Sequence, residues 1–347
     1  MGEVGPAPLA LIDSFGRTIR YMRLSVTDRC NFRCHYCRPA HDSVMCEGRD
    51  PSKQAAMSLA ETVRLVRLFV ALGVAHIRLT GGEPLLRRDL LPLAIALQAL
   101  PGLEDLSLST NGFLLPSLAL PLRQSGVQRI NISLDSLDPD AFATITRGGD
   151  LKQVLQGIDA AVTAGFQPIK INMVVMGGIN DHEIPAMVTF AGQRGLMLRF
   201  IEAMPVGNEG RAIMGHFMPA TVIMERIQQH FGVRSDLPYQ PVTEPIGAGP
   251  ARYHHIAGLG VDVGIISALS QHFCDSCNRV RLTAQGELVL CLGRSNRVDL
   301  LTLLRGGSSD QVLRDHIVAA IRQKPRQHEF DRQSSQFVAH SMPSLGG

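Results

Sequence analysis

Six of the chain's seven cysteines fall into two groups of three, and these are the residues best suited to chemistry. Cys30, Cys34 and Cys37 form a C-x3-C-x2-C run inside SVTDRCNFRCHYCRPA. Cys274, Cys277 and Cys291 form C-x2-C-x13-C. Cys46 stands apart and reads as a loop or packing cysteine. Three thiols cannot pair off as disulfides, and they fall one short of a closed zinc site. Thiolates are soft donors that select zinc, copper(I) or iron–sulfur clusters. Zinc would need His35 as fourth ligand in the first group and His272 in the second; His35 is directly beside Cys34, with little freedom to reach the same ion. A four-iron cluster is normally held by four cysteines. Three leave one iron open, and an open metal position is what a catalytic site keeps for a substrate or cofactor.

The rest of the composition bounds the possibilities. The chain has 347 residues, 45% hydrophobic and 19% charged, enough for one large core or two domains. A net charge of +3 with interspersed signs argues for neither a nucleic-acid partner nor a polybasic membrane surface. No apolar run reaches the roughly 18–20 residues of a membrane span. MGEVGPAPLALIDSFGR lacks the basic and long apolar regions of a signal peptide, so a cytoplasmic location is expected. In that reducing compartment the cysteines read as ligands.

The elements that must carry these groups alternate. The runs TIRYMRLSV, AHIRLT, LEDLSLS, VQRINISL, PIKINMVV and LMLRFIEA read as strands, with helices near 58–72, 88–100, 116–125, 151–164 and 182–194. Six strands joined by helices indicate βαβ units and a parallel sheet. Read at period two, each strand has one apolar and one polar face. Arg23, Arg78, Ser109, Asn131, Lys170 and Arg199 fall on the polar side. A parallel strand covered on both faces should be apolar throughout, and a closed eight-stranded barrel fills its lumen with apolar residues. The pattern predicts an incomplete, six-stranded (β/α)6 barrel with a polar site inside; a doubly wound sheet with one solvated face is the alternative.

After residue 205 the pattern changes. A linker, PVGNEGRAIM, precedes a helix near 219–231 and the loop LPYQPVTEPIGAGP. ARYHHIA, VDVGIIS, RVRLT and GELVLCL read as an antiparallel meander forming a small sheet, followed by helices near 298–304 and 310–323. The domains expected are a partial barrel over 11–205, a C-terminal domain over 206–330, and a flexible tail over 331–347 ending in Gly346-Gly347.

The first triplet, with Tyr36 before its last cysteine, resembles the signature of radical S-adenosylmethionine (SAM) enzymes. In those enzymes one open iron binds SAM, and its reductive cleavage gives a 5′-deoxyadenosyl radical. That likeness also implies a partial barrel. It implies that TGGEP contributes Gly82 and Glu83 to the cofactor's methionine amine, and that Ser133 and Met204 lie against its methionine and adenine ends. Asn111, in the turn STNG after the third strand, is a further residue at that end.

The second triplet points to a second metal centre, because the hairpin would return Cys291 to the CxxC. Arg279 and Arg281 share a strand face. With Arg23, Arg78, Lys170 and Arg199 they make six cations around one cavity, which suits a triphosphate. The order FGR(x)5R(x)SVTDRCNFRCHYC, RLTGGEP, STNG, INISLDSLD, RFIEAM, SQHFCDSCNRVRLT and terminal GG resembles the GTP 3′,8-cyclase family of molybdenum-cofactor biosynthesis. The resemblance implies two [4Fe-4S] clusters, SAM, GTP as substrate, and a carbon–carbon bond-forming lyase. It assigns GTP contacts to Arg23, Arg78, Ser109, Lys170 and Arg279–Val280–Arg281, with Arg199 among the lumen cations, and active-site roles to Arg279, Arg281, Gly346 and Gly347. It also implies an electron donor and a cyclic pyranopterin monophosphate synthase that takes the product; a homodimer is allowed. Ser109 replaces the usual Thr, Arg38 replaces Met, and Cys46 is extra; none removes a ligand. A peptide-modifying radical enzyme with auxiliary clusters would leave the lumen cations unused, and a zinc-stabilised binding protein would be colourless.

Overall fold

The computed structural model describes residues 10–40, 55–232, 249–256, 258–330 and 342–346. Cys46, most of the loop after the helix near 219–231, and Gly347 lie outside them. The barrel half runs β1 (Tyr21–Ser25), α1 (Leu59–Ala71), β2 (His76–Thr80), α2 (Leu90–Gln98), β3 (Asp105–Thr110), α3 (Leu115–Gln124), β4 (Arg129–Ser133), α4 (Pro139–Thr146), α5 (Leu151–Thr163), β5 (Ile169–Val175), α6 (Ile184–Gln193) and β6 (Met197–Glu202). Then come α7 (Gly207–Ala212), α8 (Ala220–Phe231), β7 (Arg252–Ile256), β8 (Val261–Ile266), β9 (Arg279–Leu282), β10 (Glu287–Val289), β11 (Arg297–Asp299), α9 (Leu300–Arg305) and α10 (Asp310–Arg322).

Local chemistry starts the helices. Ser58 and Glu61 form a capping box on α1, and Asp138, Asp150 and Ser309 cap α4, α5 and α10. The short α4 and α7 have too few turns to show a helical period, and the sequence pattern missed both. Among the described residues, no helix is long and apolar enough to cross a membrane.

β1 to β6 pair in parallel and in chain order. Their apolar faces, including Met22, Leu24, Ile77, Leu79, Ile130, Ile132, Ile171 and Phe200, are fully buried in one core with the helices. Each such side chain contributes about 1.5–3 kcal/mol by leaving water. The fold class agrees with the strand alternation.

The expected meander is different in detail. Its four strands do not form one small sheet but split between the two edges of a single eleven-stranded sheet, ordered β11-β10-β9-β1-β2-β3-β4-β5-β6-β8-β7. β8 pairs in parallel with β6, and β9 in parallel with β1. The antiparallel pairs are β7–β8, β9–β10 and β10–β11. The reason is the long VDVGIIS-to-RVRLT connection, too long for a hairpin, which crosses from one edge to the other.

Candidate active site

The sheet curls around a cavity of about 320 Å³ that both cysteine triplets line. Their placement follows from topology. The first triplet comes after β1, and Cys274 and Cys277 come before β9, yet β1 and β9 are parallel and in register from Tyr21–Arg279 to Leu24–Leu282. The triplets therefore lie at opposite ends of the same strand pair, separated by roughly 15 Å of strand.

Between them the register builds a cationic rung. Arg281 is level with Arg23, Arg23 with Arg78, and Arg78 with Ser107. Residues level on neighbouring strands share a face, and the three arginines all line the cavity with Arg279, Val280, Ser109 and Arg199. Burial, then the neighbouring Arg281, hold Arg23 well below the usual guanidinium range. Burial and Arg279 bring Arg281 down to about 10. A cavity in which cations depress one another in this way is a candidate site for an anion. Lys170 is on the same inward face but does not reach the cavity wall. It is buried, 5.9 Å from the Tyr253 ring, and burial followed by Arg199 brings it down to about 6.

Around the first triplet, Tyr36, Gly82, Ser133 and Met204 line the cavity as expected. The glycines of TGGEP have a more local reason than ligand approach. A Cβ on Gly82 would stand 2.3 Å from the Arg29 carbonyl oxygen, and one on Gly81 2.3 Å from that of Thr27. The Gly82 and Glu83 amides donate to the Thr27 and Arg29 carbonyls, locking this loop onto the segment entering the triplet. Glu83 points into the protein rather than the cavity. Its carboxylate accepts from Thr110 Oγ1 (2.7 Å), the Asn111 amide (2.8 Å) and the Leu85 amide (3.1 Å), and burial pushes it up to about 7. Tyr36 donates its hydroxyl to Asp135 (2.7 Å), which also accepts from the Val174 amide. Asn131 lines the cavity as its place on the polar face implies, and Asp135, Asn172, Lys324 and His328 line it without having been singled out. For the two asparagines and Asp135, the inward alternation of β4 and β5 was the available signal.

The tail end also belongs here. Met342 and Leu345 pack with Val206, Val289 and Met204. Arg23 donates from Nε and an Nη to the Gly346 carbonyl (3.1 and 2.8 Å), and Arg281 to that of Leu345 (2.9 Å).

The donor sets fit iron–sulfur clusters. All six cysteines are free thiols. N–H groups aim at the sulfurs, as thiolate clusters require: the Phe32 amide is 3.4 Å and Asn111 Nδ2 3.9 Å from Cys30 Sγ, while the His328 amide serves Cys274 and Arg279 serves Cys277. Among the described residues, no three His, Cys, Asp or Glu side chains are arranged to hold a single metal ion. In a cluster each cysteine serves its own iron, so convergence on one point is not needed.

Residues 24–191 match the radical SAM superfamily and residues 196–330 the molybdenum cofactor synthesis C family. The chain is similar to the GTP 3′,8-cyclases of Hydrogenovibrio crunogenus, at 47% identity over 98% of this chain and 100% of that one, and of Rhizobium meliloti, at 43% over 97% and 94%. In fold it is similar to Streptococcus suis SuiB bound to its precursor peptide SuiA, with a TM-score of 0.63 at 13% identity, covering 95% of this chain and 71% of that one. SuiB bound to S-adenosylmethionine gives 0.60 at 14%, over 88% and 68%. With two triplets lining one cavity and relatives matched end to end, the chain belongs to the GTP 3′,8-cyclase family of the radical SAM superfamily.

Proposed function

We propose that this chain converts GTP into 3′,8-cyclo-7,8-dihydro-GTP, the first step of molybdenum-cofactor biosynthesis. The observation that carries the reading is the rung Arg281–Arg23–Arg78, lining a cavity with a thiolate triplet at each end. Cys30, Cys34 and Cys37 would hold a [4Fe-4S] cluster that binds SAM, and Cys274, Cys277 and Cys291 a second one that takes the guanine. When bound, the first cluster and SAM supply a 5′-deoxyadenosyl radical, which removes hydrogen from C3′ of GTP.

The chain's own residues do the positioning. Arg23, Arg78, Arg279 and Arg281 hold the triphosphate, with Ser109 and Arg199 beside them and Lys170 behind. Gly82, Ser133 and Met204 bracket the cofactor. Tyr36 is fixed by Asp135, and Glu83 clamps the cofactor loop. Gly346 lies on the Arg23 and Arg281 guanidiniums, so entering phosphate and tail share the same donors; Gly347 extends that tail. An electron donor, a downstream cyclic pyranopterin monophosphate synthase and a homodimer complete the proposal, with the barrel ending at residue 205.

Anaerobic incubation with GTP, SAM and dithionite tests it. The expected products are 5′-deoxyadenosine and a cyclised GTP; deoxyadenosine without a GTP-derived product would refute the GTP reading.

A further inference from the structure

The N-terminal FGR motif has no role in the chemistry above, yet its arginine is one of the most fully engaged side chains in the protein. Arg17 is only 9% exposed. Its Nε donates to Asp13 (2.6 Å), whose carboxylate also accepts from the Phe15 and Arg17 amides. One Nη donates to the Cys274 carbonyl (2.7 Å) and to the Arg326 carbonyl (2.8 Å); the other donates to the Pro325 carbonyl (2.6 Å). Ser14 adds a hydroxyl bond to the Arg322 carbonyl. A short N-terminal turn is thus tied at once to the CxxC and to the segment that follows α10.

That segment runs across the second triplet. Lys324, 3% exposed, donates from Nζ to the Leu290 carbonyl (2.6 Å), one residue before Cys291. The His328 amide donates to Cys274 sulfur. The His328 ring is itself fixed, with Nε2 on the Ala268 carbonyl (2.9 Å) and Nδ1 accepting from the Phe330 amide (3.2 Å). Residues 324–328 therefore form a strap that touches the Cys274 side and the Cys291 side of the triplet. Two consecutive carbonyls of the strap end on Arg17, which also holds the Cys274 backbone.

We infer that Arg17 is a positioning residue for the second metal centre: it fixes the Cys274 backbone and anchors the 324–328 strap, so that Cys274, Cys277 and Cys291 hold one preformed geometry. A lysine could reach one of these carbonyls; only the planar guanidinium fork serves three carbonyls and a carboxylate together. Groups that orient metal ligands typically change metal affinity about 10- to 100-fold when lost. The inference rests on reading this triplet as a cluster site.

The test uses full-length chain, anaerobically reconstituted, in wild-type, Arg17→Gln, Arg17→Lys and Asp13→Asn forms. Iron per chain and the electron paramagnetic resonance spectrum of the reduced protein are read with and without SAM and GTP. Wild type should hold about eight irons. Arg17→Gln should fall toward about four, losing the GTP-induced spectral change while keeping the SAM-induced one. Arg17→Lys should recover part of the loss, and Asp13→Asn should show the same loss in smaller measure. Wild-type iron and a wild-type GTP response in both Arg17→Gln and Asp13→Asn would overturn the role of Arg17. If Arg17→Gln does not fold, Asp13→Asn decides alone, by the same two readouts. About four irons in the wild type would instead overturn the second cluster itself.

Discussion

Cys34 and Cys277 carry the same thiol in opposite surroundings. Burial, then Asp135 and the thiols of Cys37 and Cys30, push Cys34 well above the ordinary range, and burial pushes Cys37 up to about 12. Burial acts on Cys277 too, but Arg279 and Lys324 outweigh it and bring the thiol down to about 7. Both sets must be deprotonated to hold a cluster, and the metal must supply that free energy. The first triplet requires more of it, in a site walled by carboxylates and apolar groups. In the second, burial likewise pushes Cys274 up, but Cys277 is pre-charged by cations that continue into the rung facing the cavity. The cation-rich end of the cavity thus suits an anionic nucleotide better than the end lined by Asp135 does.

The strongest break of this comparison separates the two ends. Replacing Cys30, Cys34 and Cys37 with Ala should abolish both 5′-deoxyadenosine and the GTP-derived product. Replacing Cys274, Cys277 and Cys291 should abolish only the GTP-derived product and leave some SAM cleavage. Chromatography of quenched anaerobic reactions reads both; loss of both products in the second variant would mean that the ends do not act separately.

Next in size are the rung cations. Arg23→Ala and Arg281→Ala should each raise KM for GTP about 10- to 100-fold, since a hydrogen bond to a charged group is worth about 1.5–3 kcal/mol. Binding of SAM, measured separately, should hardly change.

Gly82→Ala acts at the other end. Its Cβ would collide with the Arg29 carbonyl. It should cost about 1–3 kcal/mol in denaturant unfolding and weaken SAM binding more than GTP binding.

The last effect is on stability against pH, small over one pH unit although it accumulates between the folded and unfolded values. In the ligand-free fold Lys170 titrates at about 6 against an ordinary 10.5. Between these values the unfolded chain holds a proton that the folded chain lacks, so this residue makes stability rise with pH. The slope is about 1.4 kcal/mol per pH unit. Lys170→Met removes that contribution. Its stability advantage over wild type should therefore be largest below pH 6 and shrink as pH rises toward 10; a pH-independent difference would contradict the lowered value of Lys170.

Much of this was legible in the chain because strand alternation and side-chain chemistry are local. Arg23, Arg78, Ser109 and Arg199 were placed on the inner face by period two alone, and they line the cavity. Cysteine spacing identified both triplets. What was not legible depends on long-range geometry. Nothing in RVRLT or VDVGIIS says that the two strands flank opposite edges of the sheet. The inward turn of Glu83 depends on Thr110 and Asn111 in another loop. The role of Gly81 and Gly82 depends on how closely residues 27–29 approach. Likewise, the 324–328 strap has no periodicity, and only its contacts with Arg17, Leu290 and Cys274 reveal it.

The central claim is that two open clusters divide the labour, one for SAM and one for GTP. The most direct measurement is iron per chain, with the spectra of the reduced protein, for wild type and for the two triple-alanine variants. The account predicts about eight irons in wild type and about four in each variant, with a SAM-induced change only when Cys30, Cys34 and Cys37 are intact and a GTP-induced change only when Cys274, Cys277 and Cys291 are. Four irons in wild type, or a GTP response that survives without the second triplet, would contradict it.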